Sequence, residues 1–380
     1  MSEMRDWVKY LDKELAQEIV NRTMTIINWN INVMNEKGVI IASGDEARVD
    51  TIHEGALKVI ETQVGFEIGT AQAGQFHGVK AGINLPITFH DKVVGVIGIT
   101  GAPLEIRNYG ELVKMAAEMI LQQAFLIEEM QWDERLKEEL VTKLLDGMES
   151  FDSLYLDRSK RLGMDLTIPR TVIIIAADDT AKLLKALRLK LSKDDLCVIK
   201  NQYVILLKRV ELKNGVWNQF ATISELERWA THLEYYEGLA VKFFLGTYHS
   251  GLKGISIAYQ EAVHSLKVGK KLYPDKTIYF AEDSKLPIFL SQAKELGLAV
   301  KFGTYIDRLK QSDKKGELLE TLLMYVEEDG DGNKVAERLF IHRNTLRYRL
   351  ERISELTGKD PRKLKDLVEL YLSVLQDRLS

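Results

Sequence analysis

The sequence predicts a multidomain α+β protein, and three observations carry that expectation. The chain has 380 residues, more than one ordinary domain of about 100 to 200 residues. Its six prolines, at 86, 103, 169, 274, 287 and 361, leave a gap from Pro103 to Pro169 wide enough for long helices. The charge is uneven: from Gly332 to Asp366 ten Lys or Arg stand against five acids, a local +5, which leaves -9 of the net -4 for the rest. Such asymmetry predicts a polyanion-binding end on an acidic body. With 46% hydrophobic and 28% charged residues, a packed core is expected and wholesale disorder is not.

The elements follow in chain order. Met1 to Leu15 is too charged for a secretory h-region, and the longest apolar runs, Val93 to Thr100 and Val172 to Ala177, fall far short of the ~20 residues of a membrane span. A cytoplasmic protein with no membrane partner is expected. Leu11 to Ile27 reads as a helix. INVMNEKGVIIAS reads as a hairpin around Asn35-Glu36-Lys37-Gly38, where Gly38 can take positive φ. Ile52 to Thr62 is helical, opened by a Thr51-x-x-Glu54 capping box. INLPIT and KVVGVIGIT form a second hairpin through His90-Asp91-Lys92, and Pro86 marks an edge or bulged strand. Four antiparallel strands with these helices resemble a sensor module of the PAS or Cache type over residues 1–130.

From Tyr109 to Leu145 apolar residues recur at helical spacing with Gly110 the last glycine before Gly147, which predicts a helix of thirty or more residues. It would lead into a helical connector over residues 131–165 and, through its Ala, Met and Gln, suits a core or a subunit contact. Residues 166–290 then read β-α-β-β-α-β-α, which resembles the ferredoxin-like core of GGDEF domains. The hairpin that would carry the Gly-Gly-Asp/Glu-Glu-Phe signature reads Ile199-Lys200-Asn201-Gln202-Tyr203 instead. Asp178 and Asp179, at the end of the first strand, are then helix-capping or turn residues rather than metal ligands. Cys197, the single cysteine, lies in the strand-like LCVIKNQYVILL and reads as a small buried hydrophobe.

Residues 300–380 hold the basic end. Glu317 to Glu327, Asn333 to Leu339 with Asn333 as its cap, and Arg343 to Leu356 read as three helices, the last two joined by a short turn at Phe340 to His342. Ala336, Leu339, Ile341, Leu346 and Leu350 have the spacing of the buried set of a helix-turn-helix. Burying them leaves His342, Arg343, Asn344, Thr345, Arg347, Tyr348, Arg349 and Arg352 for DNA. Arg pairs with guanine, Asn with adenine, and Thr345, Tyr348 and Arg352 suit phosphates.

At this point a resemblance becomes specific. IHRNTLRYRLERI, preceded by KVAERLF, resembles the helix-turn-helix that closes PucR-type and sugar-diacid regulators. HEGALKVI, GVKAGINLPITF and VVGVIGITGAPLEIRNYGELVKMAAEMI resemble the sugar-diacid recognition domain of carbohydrate diacid regulators. The resemblance covers essentially the whole chain. Phe340 stands where many such turns have Gly, which leaves the turn geometry open. The resemblance implies a transcriptional regulator, an activator of sugar-acid utilisation genes, controlled by a carboxylate of the glucarate, galactarate or glycerate class. It implies double-stranded DNA and that acid as partners, a homodimer or higher homo-oligomer, and RNA polymerase as a further partner.

For the acid, the first turn of the helix after Thr51 offers free N–H groups, including those of Glu54 and Gly55, and Arg48 and His53 flank it. Lys80, Asn84 and Thr100 add a cation and hydroxyl-directed bonds. Gly98 and Gly101, in Gly95-x-x-Gly98-x-x-Gly101, mark a close backbone approach to a ligand or helix rather than a dinucleotide site. Asp329-Gly-Asp331-Gly-Asn333 lacks the later ligands of a calcium loop, and the seven histidines have no metal-ligand spacing. No cofactor or metal is expected. The competing class is a nucleotide-binding or cyclase-type signalling protein built on the middle domain.

Overall fold

The computed structural model describes residues 11–70, 73, 80–148, 151–296 and 304–379. The charged segment 1–10 and Gly78 and Val79 of the GVKAGINLPITF stretch lie outside the described residues. The chain divides into two compact units, up to Arg135 and from Leu136 on.

In the first unit, α1 (Lys13–Met24) begins where Asp12 accepts the Leu15 N–H at 2.8 Å. β1 (Ile31–Asn35) and β2 (Ile40–Ser43) form the expected hairpin, with Gly38 at φ 75°. α2 (Glu54–Thr62) and a three-residue β3 (Phe66–Ile68) follow, then the hairpin of β4 (Gly82–Phe89) and β5 (Lys92–Thr100). The sheet has five antiparallel strands in the order β2-β1-β5-β4-β3, one more than the four expected. Among the described residues β3 pairs with Gly82 to Asn84, so Pro86, opposite Val96, lies beyond that pairing, where its missing N–H removes no bond to β3.

Strict alternation sorts the sheet's faces. Ile31, Val33, Ile83, Leu85, Ile97 and Ile99 face one core with α1 and the start of α3 (Pro103–Asp146). Met34 and Val96 face the other, smaller core with Ala56 and Val59 of α2. The helix expected over Tyr109–Leu145 thus begins six residues earlier, at Pro103, whose missing N–H is an unpaired group of a first turn anyway.

In the second unit, the end of α3 (Leu140, Val141, Leu144, Leu145) packs with α4 (Ser153–Arg161) in one core. β6 (Arg170–Ala177), α5 (Thr180–Arg188), β7 (Leu196–Lys200), β8 (Tyr203–Arg209), α6 (Gln219–Glu237), β11 (Val241–Leu245) and α7 (Leu252–Leu272) give the predicted β-α-β-β-α-β-α, with a small ribbon of β9 (Leu212–Lys213) and β10 (Val216–Trp217) before α6. β12 (Ile278–Phe280) joins parallel to β11, and the sheet order is β12-β11-β6-β8-β7. Val172 and Ile174 face α7, whereas Ile173 and Ile175 face α5 and α6, so this sheet is covered on both sides. Cys197 is half-buried and burial pushes its thiol up to about 12, which makes it an inert hydrophobe.

α8 (Lys285–Glu295) leads to a bundle of α9 (Thr304–Ser312), α10 (Glu317–Glu327), α11 (Gly332–Arg338), α12 (Arg343–Thr357) and α13 (Leu364–Arg378). Its core is Ile306, Leu322, Val335, Ala336, Leu346, Leu350, Ile353 and Leu370. Within it α10, α11 and α12 are the three helices read from the sequence. α11 starts one residue early, because Asp331, not Asn333, is its cap and accepts the Asn333 N–H at 3.0 Å.

Candidate nucleic-acid interface and effector site

α12 is held from beneath by Leu346, Leu350 and Ile353, all buried. The turn that delivers it closes with the Phe340 N–H on Glu337 O at 3.1 Å and the Ile341 N–H on Ala336 O at 3.0 Å. Phe340 takes φ 52°, the left-handed region where glycine is common. His342 then caps α12, its Nδ1 accepting the Asn344 N–H at 3.2 Å.

On the outer side Arg343, Asn344, Thr345, Arg347 and Tyr348 are exposed, and among the described residues neither Arg343 nor Arg347 has an ion-pair partner. Arg352 is exposed and pairs with Glu355 at 2.7 Å. Arg349 does not join this face. Its side chain is only 14% exposed and donates to Glu317 at 2.8 Å and to Thr321 Oγ1 at 3.2 Å, tying α12 to α10. Free guanidinium groups can neutralise phosphates or fork onto a base, whereas one bonded inward cannot without breaking its own fold.

In the first unit a second polar group of side chains lies on the α2 side of the sheet. Across the strands Ser43 pairs with Asn32, Asn32 with Gly98, Gly98 with Asn84 and Asn84 with Phe66. Three side chains of that row are buried, at 3% exposure for Ser43, 2% for Asn32 and 3% for Asn84. Asn32 Oδ1 accepts the Ser43 hydroxyl at 2.7 Å and the Asn30 amide at 3.1 Å. The start of α2 closes over Asn84: a Cβ on Gly55 would lie 3.0 Å from Asn84 Nδ2, and one on Gly98 would lie 2.8 Å from Asn84 Oδ1. Gly55 is what lets the helix approach the sheet so closely, and Gly98 leaves room on the neighbouring strand for the Asn84 amide.

His53 is buried at 4% exposure and caps α2 through Nδ1, which accepts the Ala56 N–H at 3.2 Å. The expected capping box is therefore not formed. The Thr51 hydroxyl donates to Arg48 O at 2.6 Å instead, because the chain enters the helix two residues later than that pattern requires. Burial and the nearby Arg48 charge lower the His53 pKa to about 4, so the imidazole is neutral at pH 7. Arg48 is half-buried, and burial lowers its own pKa despite Asp45. Glu54 is half-buried in the first turn of α2.

Of the residues read for the acid, the structure brings His53, Gly55, Asn84 and Gly98 together. Thr100 is two positions on from Gly98 along β5, and alternation puts it on the same face. Lys80 is exposed and sits 3.7 Å from Asp45. Gly101 is elsewhere: a Cβ there would meet Ile106 and Trp29, on the side of α3. Asn32 and Ser43 were not read from the sequence. Their signal was the hairpin register around Asn35 to Gly38, which sets a polar residue in each strand opposite the other.

The middle domain has a cleft of its own, lined by Asp178, Thr180, Gln202, Glu234, Lys242 and Lys270. Asp179 caps α5 by accepting the Lys182 N–H at 2.9 Å, and the β7-β8 turn is Asn201-Gln202, both at positive φ. A two-residue hairpin turn of this kind has no acid to offer a metal.

Comparison with known proteins matches residues 11–144 to a sugar diacid recognition family, 147–268 to a GGDEF-like domain and 318–375 to the PucR C-terminal helix-turn-helix domain. The chain is 38% identical to the carbohydrate diacid regulator of Escherichia coli (strain K12), over 98% of this chain and 99% of that one. It is 32% identical to a Haemophilus influenzae protein over 96% of this chain and 99% of that one. A DNA-binding transcriptional activator of Bacillus subtilis is 28% identical over 35% of this chain and 33% of its own length.

Proposed function

The chain belongs to the carbohydrate diacid regulator family, and from that premise we propose that it activates sugar-acid utilisation genes when a hydroxy-carboxylate or diacid of the glucarate, galactarate or glycerate class binds its N-terminal unit. It is a DNA-binding transcriptional regulator with a helix-turn-helix domain, not an enzyme; the middle domain shares the GGDEF-like fold alone. Among the described residues no helix is long and apolar enough to cross a membrane.

The observation that carries the DNA reading is the exposed Arg343 and Arg347, without an ion-pair partner among the described residues, on a helix whose opposite side is pinned by Leu346, Leu350 and Ile353. We assign base reading to Arg343, Asn344 and Arg347, phosphate contact to Thr345, Tyr348 and Arg352, and positioning of α12 to His342 and Arg349. Polyanion binding releases counterions, so affinity should fall steeply as salt rises. Fluorescence anisotropy against salt with duplex DNA tests this: a flat response would favour an adaptor that uses the helix face for protein contacts.

The acid is assigned to the row Ser43, Asn32, Asn84 with His53, Gly55, Gly98 and Thr100, and to Arg48, Lys80 and Glu54 at its margin; Gly101 is left out because it faces α3. Buried amides and hydroxyls suit a polyhydroxy chain, and a half-buried guanidinium suits its carboxylate. We read this unit as the sensor over residues 1–130, of PAS or Cache type, with 131–165 the connector, 166–290 the degenerate GGDEF-like domain and 300–380 the DNA-binding domain. The sheet order β2-β1-β5-β4-β3, with α2 on one face and α1 and α3 on the other, supports the sensor reading.

The regulator acts as a homodimer or higher homo-oligomer, with RNA polymerase as its downstream partner. In support, Leu112, Met115, Met119, Leu126 and Met130 are exposed by 46% or more along one side of α3, at the spacing of a helix-pairing stripe. Native mass spectrometry after gentle purification reads the subunit count and any co-purified acid in one experiment.

A further inference from the structure

We propose that Phe340 reads DNA directly, its ring packing on a thymine 5-methyl group in the major groove beside the contacts of α12. The inference rests on the assignment of α12 as the recognition helix and adds an apolar reader to a set that was otherwise all polar.

The ring is 95% exposed, so it contributes almost nothing to its own core. The backbone beneath it is held at φ 52°, a region costly for phenylalanine and free for glycine. A residue that is both strained and unpacked does not serve the stability of the free protein. The backbone on both sides is pinned, by the Phe340 N–H on Glu337 O and the Ile341 N–H on Ala336 O, so the side chain's origin is fixed. That origin lies two residues before the cap His342, at most about 7 Å along the chain, at the end of α12 whose first residues meet base edges.

The chemistry narrows what it touches. Arg343, Asn344 and Arg347 already supply charge and hydrogen bonds at this end. A phenyl ring gains nothing from a phosphate, and the thymine methyl is the apolar group on the major-groove edge.

The test uses full-length protein and a duplex selected by the wild type from a random 20-bp library. Phe340→Gly should melt at the same temperature or higher, because glycine prefers this φ, and yet bind the selected duplex about fivefold or more weakly. Phe340→Asn, which also tolerates positive φ, should behave alike if the glycine variant misfolds. Replacing thymines by uracils one at a time should reveal a position where the wild type loses affinity and Phe340→Gly does not. Equal affinity of wild type and both variants would overturn the proposal. So would a loss that is the same on every uracil-substituted duplex, the mark of a backbone or protein contact. A wild type that selects no sequence at all would instead break the assignment of α12 itself.

Discussion

The α2 side of the N-terminal sheet and the outer side of α12 are both rich in polar side chains, yet they are built in opposite ways. Ser43, Asn32, Asn84 and His53 are buried, and Ser43 and Asn32 are bonded to each other. Arg343 and Arg347 are exposed and, among the described residues, unpaired. A buried amide gains from a partner because leaving it unmet costs about 1–3 kcal/mol, so such a row can discriminate hydroxyl patterns on a small molecule. An exposed guanidinium meets its partner for little desolvation, so it suits a long polyanion whose affinity comes from many contacts. The contrast separates two groups that composition alone would treat alike.

The largest effect expected to sharpen this contrast is a pH response confined to the buried side. The His53 pKa in the folded state, about 4, lies below the ordinary value of 6.5. The unfolded chain therefore takes up the proton first as pH falls, so stability is full above pH 6.5 and lost progressively toward pH 4, by about 3 kcal/mol in total. Urea unfolding of the wild type at pH 7.5 and 4.5 should show that loss, and His53→Gln should remove most of it. Equal pH dependence in the two would mean that His53 is not held neutral by its surroundings.

On the exposed side, Asn344→Ala or Arg347→Ala should cost about 1–3 kcal/mol of operator affinity and relax base preference, with no change in unfolding. Unchanged affinity in both would break the assignment of these bases' readers. Arg349 provides the internal control. Removing its bonds to Glu317 and Thr321 should lower the stability of the bundle by about 1–2 kcal/mol, while affinity measured well below the melting temperature stays near wild type. A loss of base preference in Arg349→Ala at full stability would return it to the DNA-contacting set. The smallest effect is expected at Arg352, whose exposed pair with Glu355 is worth little. Arg352→Ala should weaken all DNA sequences about equally and lower the salt slope by about one.

Much of this was legible from periodicity. The buried set of the helix-turn-helix and the β-α-β-β-α-β-α order both follow from local patterns of period 3.6 and 2, which the chain obeys wherever an element is long. β3 escaped because three residues hold too little of a period. The caps of α2 and α11 each lie two residues from where the sequence puts them, since Thr51 and Asn333 satisfy the local preference, while His53 and Asp331 stand where the chain actually turns into the helix. By sequence Arg349 is indistinguishable from the neighbouring arginines, because its partner, Glu317, is 32 residues away and is brought near by the packing of α10 on α12. The polar row needed the same kind of information: Asn32, Gly98 and Asn84 become neighbours through strand register, which no single segment contains.

The most direct test is titration calorimetry of glucarate, galactarate and glycerate with the full-length wild type and with Asn84→Leu, a near-isosteric change that removes the amide of the row over which α2 closes. One of the acids should bind the wild type and bind Asn84→Leu at least about tenfold more weakly, the loss of a buried hydrogen bond to a charged or hydroxylated ligand, while both proteins bind the selected DNA equally without acid. Equal acid affinity in the two proteins would contradict the placement of the effector on this face of the sheet.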